Sequence, residues 1–283
     1  MAALSNKIDF VGFISVEHAN PNGDPLNGNR PRDTVEGLGE ISDVCIKRKL
    51  RNRLQDFGER VFVQSDDRKD DGCKSLKERV DSDEELKKMS KGKNTDVDEF
   101  ARKVCEKWID VRAFGQVFAF KGDAVSIGVR GPVSLHPAFS IDPIEIESIQ
   151  ITKSVNSVTA DSRSSDTMGM KHSVKFGIYK LKGSINCQLA EKTGFSDEDA
   201  EKIREALATL FENDSSAARP DGSMCMEKLF WFRHNCKSGQ YSTAKVHRRV
   251  KAEKLCENPK SAEDYRFYYD ESLKGLTPEE IVS

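Results

Sequence analysis

The fold is decided by three consecutive segments, IDFVGFISV (Ile8–Val16), HANPNGDPLNGNRPRD (18–33) and ISDVCIKRKLRNRLQDF (Ile41–Phe57). The first is an apolar run of strand length. It is followed by a segment rich in Gly, Pro and Asn, which predicts a buried strand and then a loop. In the third segment Ile46, Leu50 and Leu54 recur at i, i+4 and i+8, as on the buried face of a helix. The predicted order is therefore strand, polar loop, helix.

This predicted helix is strongly basic. Between Val44 and Gln55 it carries five positive residues and no acid: Lys47, Arg48, Lys49, Arg51 and Arg53. At about 100° per residue, Arg48 and Arg51 fall opposite the apolar stripe, with Lys47 and Lys49 beside them. Like charges at these spacings destabilise a helix, and a bound polyanion would relieve the repulsion; the alternative is an ordinary solvated face. The pattern favours a surface that holds a phosphate backbone.

The charge of the whole chain is nearly balanced, but its distribution is uneven. The 283 residues include 45 Lys and Arg against 47 Asp and Glu, a formal net charge of −2. Basic residues nevertheless concentrate in three segments, 44–55, 151–184 and 228–251. Three basic segments on a neutral protein predict one nucleic-acid footprint assembled from separate parts of the chain. The length fits one core with large insertions as well as two domains.

Several other classes of site find no support in the sequence. The seven cysteines are scattered without a CxxC pair, which predicts reduced structural thiols and no metal site. The histidines are dispersed and no phosphate-loop or nucleophile motif occurs, so neither a catalytic residue nor a cofactor is predicted. No apolar run approaches the roughly 20 residues of a membrane span, and no signal peptide is visible. We therefore expect a soluble cytoplasmic protein without a membrane partner.

Further signals complete the predicted fold. They are a charged, partly helical insertion over 64–94, a helix after the N-cap Asp96, strands over Val111–Phe120, Ala124–Arg130 and Ile144–Ile151, a long polar loop over 152–173, a strand from Val174, a helix after the capping box Ser196–Asp199, and a strand over Met224–Phe232. Without the insertions the order is strand, helix, strand, strand, helix, strand. This is the α+β, ferredoxin-like arrangement that RNA-recognition modules use.

Longer blocks of the sequence resemble a known family. They are HANPNGDP (18–25), NRPRD (29–33), DVCIKRKLRN (43–52), DVRAFGQVF (110–118), SIGVRGPVSLHPAFS (126–140), ITKSVN (151–156), SSDTMGMKH (164–172), INCQLAEKTGFSDEDA (185–200) and LFENDSSAARPDGSM (210–224). Together they are similar to the type I-C (Csd-type) members of the Cas7 family, the backbone subunits of the CRISPR Cascade surveillance complex. The resemblance covers most of the chain and thins out over 64–95 and after about residue 255.

The resemblance implies a hand-shaped subunit. Its palm would be an RRM-type domain formed by 1–60 and 110–255, its fingers the charged helical insertion 61–109, and its thumb the loop 152–175 within the palm; a C-terminal segment, 256–283, would follow. Such subunits polymerise head to tail along a CRISPR RNA and hold its backbone without reading its sequence. The thumb kinks the RNA, which then pairs with target DNA. Expected partners are further copies of the chain, a Cas5-type subunit and the large subunit of Cascade.

The residues expected to contact RNA come from the loop after the first strand, from the basic segments 44–55 and 151–184, and from the end of the predicted strand at Arg130. They are Arg30, Arg32, Lys47, Arg48, Lys49, Arg51, Arg130, Lys153, Asn156, Arg163, Met168, Met170 and Lys171. The cations would neutralise phosphates, and the polar residues of the thumb's root would hold the strand there. Met168 and Met170 are apolar tips suited to wedging between bases, although a tip packed on its own protein is the alternative.

Two enzymatic alternatives stay open. Relatives in type III complexes cut target RNA with an aspartate in the loop after the first strand, and Asp33 is the candidate here for such a metal-dependent endoribonuclease. The alternative is that Asp33 is a turn residue whose side chain satisfies hydrogen-bonding groups of the nearby backbone. A metal-independent ribonuclease that processes precursor CRISPR RNA ranks last, because the resemblance gives that role to the Cas5-type subunit. We therefore expect no catalytic activity.

Overall fold

The computed structural model describes residues 2–92, 95–152 and 168–282. Its strands are β1 (Ile8–Ala19), β2 (Gly23–Asp24), β3 (Arg30–Pro31), β4 (Leu38–Ile41), β5 (Gly115–Ala119), β6 (Ser126–Arg130), β7 (Val133–Leu135), β8 (Ala138–Pro143), β9 (Ile146–Thr152), β10 (Met168–Ile185), β11 (Met224–Arg233), β12 (Val250–Lys254), β13 (Tyr265–Tyr269) and β14 (Glu279–Val282). Its helices are α1 (Asp43–Asp56), α2 (Leu76–Asp81), α3 (Glu84–Lys91), α4 (Val97–Lys107), α5 (Ile109–Phe114), α6 (Cys187–Thr193), α7 (Asp197–Ala208) and α8 (Thr243–His247).

The centre is an antiparallel sheet in the order β14-β11-β1-β10-β8-β4, with β7 and β9 also paired to β10. The predicted first strand is confirmed as β1, which lies between β10 and β11. Alternate β1 residues belong to different cores, since Phe10 and Ile14 contact one cluster while Val11 and Phe13 contact another. Because both faces of the sheet are covered, the strand reads as a continuous apolar run rather than an alternating one.

Helices α1 and α7 cover one face of the sheet. The predicted stripe of Ile46, Leu50 and Leu54 is fully buried there, which confirms the helix predicted over 41–57. The Ser42 hydroxyl caps α1 by accepting a hydrogen bond from the backbone N–H of Cys45. The predicted capping box of α7 is also present, with Ser196 and Asp199 bonded reciprocally. The capping residues fix where the two helices begin, and the buried stripe places the basic helix α1 against the sheet.

The opposite face is covered by the C-terminal part of the chain. The β12–β13 ribbon and α8 pack on it, and the ring of Phe267 stacks on that of Phe13 at 4.5 Å. Strand β14 then joins the central sheet beside β11. Residues after 255, for which no core role was predicted, therefore contribute to the second core.

A third core joins α2 to α5 with the β5–β6 ribbon, around Phe62, Phe100 and Phe118. Here the prediction of one strand over Val111–Phe120 is wrong: residues up to Phe114 are helical, and the strand starts at Gly115. Valine and phenylalanine favour strands, but long-range bonds hold this segment as a helix. Arg112 pairs with Asp199 of α7, and Gly115 ends the helix at φ +80°.

The described helices are short, and the cysteines form no disulfide bonds. Within 2–92, 95–152 and 168–282, none of the helices is long and apolar enough to cross a membrane. All seven cysteines carry free thiols. Burial raises the pKa of the Cys105 thiol to about 12, which makes it a structural rather than a reactive residue.

Candidate nucleic-acid interface

Three separate segments meet at the C-terminal end of β1. The loop that follows β1 folds over the start of α1, where the Asn22 side-chain oxygen accepts hydrogen bonds from the backbone N–H of Ser42 (2.9 Å) and its hydroxyl (2.7 Å). On its other side, the Asn20 N–H donates to the carbonyl of Ala218 at 2.9 Å. We call residues 20–33, 42–49 and 214–219 the three-segment site. It joins four of the blocks that carried the family resemblance, 18–25, 29–33, 43–52 and 210–224.

The two loop arginines lie at different places in this site. Arg30 donates from Nη1 to Ser148 Oγ at 3.0 Å, and Ser148 Oγ lies 2.8 Å from His172 Nδ1. Arg30 is therefore tied to β9 and β10. Arg32 lies 3.5 Å from Asp24, a long contact for an ion pair, and 38% of its side chain is exposed. Such a half-exposed cation keeps donors available for a ligand.

Two cations of α1 lie near its start or on its outer side. Lys47 pairs with Asp43 one turn earlier at 3.0 Å, at a partly exposed position. Arg48 donates to the carbonyl of Val63 at 2.7 Å, and burial together with repulsion from Arg51 lowers the pKa of Arg48. Contact with RNA stays a prediction for both.

For the other two cations the structure corrects the sequence analysis. Lys49 is only 4% exposed and forms an ion pair with Asp214, although burial still lowers the pKa of Lys49. Arg51 is 12% exposed, and its Nε donates to Asp110 at 2.8 Å. The prediction that α1 presents an unpartnered run of charge is therefore wrong. The acids lie 59 and 165 residues away in sequence, where no helical spacing rule could find them.

The predicted apolar tips lie on a ribbon beside the site. Residues Ile146–Thr152 of β9 pair with Met168–Val174 of β10, and we call this part the β9–β10 ribbon. Met168 and Met170 are each 54% exposed and do not pack into a described core. Their partners in the register are Thr152 and Gln150, and the next pair on the same face is His172 with Ser148. The methionines therefore share a face with the anchor of Arg30.

The remaining predicted contacts are not all brought to this site. Lys171 is exposed and lies opposite Ile149, on the other face of the ribbon. Arg130 is exposed on β6 opposite Gly115, and no described contact ties it to the three-segment site. Lys153, Asn156 and Arg163 lie outside the described residues. Asp33 is exposed, with its backbone paired to Gly39, and within the described ranges no group of three His, Cys, Asp or Glu residues could hold a metal ion.

Sequence analysis missed two polar residues at the centre of the site. The amide of Asn20 donates to the carbonyl of Asn29 at 2.7 Å, while its side-chain oxygen is buried and has no partner among the described residues. Arg219 pairs with Asp214 at 3.1 Å and is partly exposed. Both belong to quoted blocks, but neither lies in a basic run, which was the signal used to choose candidates.

Fold and site together define a mixed α/β protein with a central antiparallel sheet and a cationic, amide-rich site at one end of its middle strand. The family profile described as "CRISPR-associated protein Cas7" matches residues 6–270. The chain belongs to this family. A "CRISPR-associated protein Cas7" of Haloferax volcanii is 26% identical over an alignment of 258 positions, and the match covers 83% of this chain and 72% of that one.

A solved structure has a similar fold. It is a chain of a "CRISPR RNA-guided surveillance complex, pre-nicking", and it superposes with a TM-score of 0.50 at 16% identity. The match covers 85% of this chain and 81% of that one. At this level of identity the likeness concerns the fold alone.

Proposed function

We propose that this chain is the RNA-binding backbone subunit of a type I-C Cascade complex. Copies would assemble head to tail along a CRISPR RNA and leave its bases free to pair with target DNA. Within the cytoplasm it would work beside a Cas5-type subunit and a large subunit. Its role would be structural: it holds and shapes the RNA and catalyses nothing.

The sheet supports an RRM-like palm. Taken in chain order, β1, α1, β8, β10, α7 and β11 repeat the strand, helix, strand, strand, helix, strand pattern of the ferredoxin-like fold. These strands are neighbours in the central sheet, and both helices lie on the same face. The α2–α5 region would then serve as the fingers, and the β9–β10 ribbon as the base of the thumb.

The convergence of the three-segment site with the β9–β10 ribbon carries the proposal. Arg30 and Ser148 join the two at 3.0 Å, so cations, amides and exposed apolar side chains lie along one continuous surface. Cations and amides contact phosphate and ribose, whereas base reading needs contacts to base edges. The surface is therefore suited to gripping a strand whatever its sequence.

The ribbon supplies a means to kink that strand. Met168 and Met170 stand exposed on the face that also carries Ser148 and His172. Apolar side chains inserted between bases unstack them at a cost of a few kcal/mol, which phosphate contacts on either side can offset. We infer that the two methionines separate neighbouring bases at regular intervals along the guide.

A binding experiment tests the grip on the backbone. Arg32→Ala and Lys47→Ala should each weaken RNA binding about equally for guides of different sequence, and should flatten the dependence on salt by roughly one unit of slope. Lys192→Ala on α6 is the matched control, because it removes one exposed charge away from this surface. Filter binding of three unrelated RNAs over a salt series gives both quantities. A loss confined to one RNA, or an equal loss in the control, would contradict the proposal.

A fluorescence experiment tests the kink. Met168→Ala with Met170→Ala should reduce the fluorescence of 2-aminopurine placed along a bound guide, because the probe stays stacked when no side chain separates it from its neighbours. Ile149→Ala is the matched control, since Ile149 is as exposed but lies on the other face of the ribbon. Equal effects of both variants would rule out a wedge made by the methionines.

The non-catalytic role needs its own test. The assembled complex is incubated with labelled complementary RNA and magnesium, and the products are compared with those of Asp33→Ala. We expect intact RNA in both. Periodic cuts that disappear in Asp33→Ala would make the protein a metal-dependent endoribonuclease, and cuts made in repeat RNA by the chain alone would make it a processing enzyme.

A further inference from the structure

A second cationic site lies on the face of the sheet that α8 covers. It is a cavity of about 420 Å³ whose lining residues are His136, Lys180, Lys182, Thr243, Ala244, His247 and Arg248. Three of them are cations, two are imidazoles and none is a carboxylate. Residues of β10 form one wall and residues of α8 with its C-cap form another.

The cavity is separate from the three-segment site. In the register of the sheet Lys182 lies opposite Val11 and Lys180 opposite Phe13, whereas the three-segment site begins after Ala19. From Val11 to Ala19 the strand advances about 26 Å at 3.3 Å per residue. The two sites also lie on opposite faces, because the α1 stripe and the α8 residue Val246 belong to different cores. A nucleic-acid strand bound at one of these sites therefore does not fill the other site as well.

Lys180 is fixed in place without being neutralised. Its Nζ donates to the carbonyls of His247 at 3.2 Å and Val250 at 2.5 Å, which leaves one of its three donors for a ligand. Burial, with repulsion from Lys182 and Lys251, lowers the pKa of Lys180 to about 8. The ammonium group is therefore still mostly protonated at neutral pH, at a position that disfavours its charge.

Among the residues that the structure describes, the other two cations of the cavity have no acidic partner, whereas two cations next to them in sequence or space do. Arg249 lies 3.3 Å and Lys251 lies 3.6 Å from Asp270. By contrast, Lys182 and Arg248 form no ion pair within the described parts of the chain. Asp270 thus pairs with two cations beside the cavity, whereas Lys182 and Arg248 in its lining keep their charge for a ligand. Like charges left together in a concave site attract an anion.

One acid, Asp9, is bonded to the lining residue Thr243, but its carboxylate is already satisfied by other partners. Asp9 is fully buried and accepts hydrogen bonds from Thr243 Oγ1 at 2.8 Å and from Lys7 Nζ at 2.9 Å. The backbone N–H of Gln240 donates to His234 Nδ1, so the proton is on His234 Nε2, which donates to Asp9 at 2.9 Å. These bonds hold the wall formed by α8 in position. They do not place a carboxylate in the cavity.

The walls are fixed on the other side by His247. Its Nε2 donates to the carbonyl of Gly183 at 2.9 Å, and burial lowers the pKa of His247 to about 4. The imidazole is therefore neutral at physiological pH and repels no cation. Its ring lies 6.0 Å from that of His136, at the open side of the cavity. Both rings can report on whatever enters.

We propose that this cavity binds a phosphate group, presented either by a small phosphate compound or by the backbone of a nucleic-acid strand. A phosphate has several acceptor oxygens pointing in different directions, which matches cations on two walls, whereas the two oxygens of a carboxylate lie in one plane. The volume exceeds the roughly 30 Å³ share of one water many times, so a phosphate can enter with part of its sugar. The inference does not depend on the proposed function of the three-segment site.

NMR spectroscopy of the histidine rings in the full chain tests the proposal. The protein has five histidines, so signals of the labelled rings can be assigned with His136→Gln and His247→Gln. Inorganic phosphate and sulfate are titrated at constant ionic strength against chloride. We expect the ring signals of His136 and His247 to shift with saturation, and the signal of His18, which lies at the other end of β1, to stay unchanged.

Charge variants show whether binding occurs in the cavity. Lys182→Ala combined with Arg248→Ala should weaken phosphate binding at least tenfold. Lys175→Ala combined with Lys192→Ala removes the same charge outside the cavity and should change it less than twofold. Lys182→Gln alone serves as a second variant if the double variant fails to fold. Shifts that are the same in chloride, or unaffected by the cavity variants, would overturn the proposal.

An oligonucleotide distinguishes the two sources of phosphate. A short single strand without terminal phosphates is added to the phosphate-loaded protein. Displacement of phosphate in the parent but not in Lys182→Gln assigns the site to a nucleic-acid backbone. Binding of inorganic phosphate without displacement assigns it to a small phosphate compound. Ring shifts that depend on protein concentration and not on phosphate would instead indicate an acidic side chain of a second copy, and would overturn the proposal.

Discussion

Arg51 was predicted to touch RNA, but the structure gives it a role in stability that a single substitution can reveal. Its Nε donates at 2.8 Å to Asp110, which is fully buried. The same carboxylate accepts the backbone N–H groups of Phe62 at 2.6 Å and Val63 at 3.1 Å. This carboxylate joins α1, α5 and the segment between α1 and α2. Arg51→Ala leaves the charge of Asp110 buried with two amides and without its ion-pair partner.

The magnitude follows from the geometry. Removing one partner of a buried ion pair costs about 3–5 kcal/mol, and the two amides that remain place this case at the lower end, about 3 kcal/mol. Lys47→Ala is the matched control on the same helix, because its partner Asp43 is half-exposed and such i, i+4 pairs contribute about 0.3–0.5 kcal/mol. With a urea m-value of about 3 kcal/mol/M, Arg51→Ala should lower the unfolding midpoint by about 1 M and Lys47→Ala by about a tenth of that.

A double-mutant cycle isolates the interaction. Arg51→Ala combined with Asp110→Asn removes both charges and should be more stable than Arg51→Ala alone, because no buried charge is left unpaired. Asp110→Asn alone completes the cycle. RNA binding is then measured at a temperature where every variant is folded. The reasoning fails if Arg51→Ala keeps the parental midpoint but loses RNA affinity, since Arg51 would then serve the RNA and not the fold.

Two further stability predictions rest on buried groups. Because the unfolded chain protonates His247 near pH 6.5 and the folded chain only near pH 4, the free energy of unfolding should fall by up to about 3 kcal/mol as the pH drops between these values. Urea midpoints over this range should show a smaller fall in His247→Gln, and equal falls would contradict the assignment. A Cβ on Gly39 would lie 2.2 Å from the buried Tyr179 hydroxyl, so Gly39→Ala should cost about 1–3 kcal/mol in urea unfolding. Gly128→Ala, where nothing lies within 4 Å, should change the midpoint little, and similar losses in both variants would refute the steric reason.

The elements that local patterns predicted well are those whose causes are local. The apolar run of β1, the stripe of Leu50 and its neighbours on α1, and the capping box that begins at Ser196 depend on residues a few positions apart. Spacing rules contain that information because each rule describes one turn or one pleat. The helix at 111–114 depends on Asp110 bonding to Phe62, 48 residues earlier, and no local window includes that contact.

The same distinction between local and long-range causes applies to the candidate site. Sequence analysis found the basic helix and the loop before it, but it treated charge as a property of the helix alone. Asp110 and Asp214 reach α1 only in the folded chain, and they bind Arg51 and Lys49. Asn20 was missed for the opposite reason, since an uncharged amide contributes nothing to a count of charges. Both errors arise because a site is defined by what surrounds each group, and the surroundings are set by tertiary structure.

Whether a cation is neutralised within the chain therefore distinguishes structural charges from those available to a ligand. A buried cation with a carboxylate partner already has its counter-charge, and moving it to a phosphate would strand the acid at a cost of several kcal/mol. A cation whose only partners are carbonyl oxygens, or none, loses nothing when an anion arrives. Arg51 falls in the first group, whereas Lys180, Lys182 and Arg248 fall in the second. By this argument the cavity beside α8, whose cations come from the basic segments 151–184 and 228–251, is better prepared for an anion than the part of α1 that carries Lys49 and Arg51.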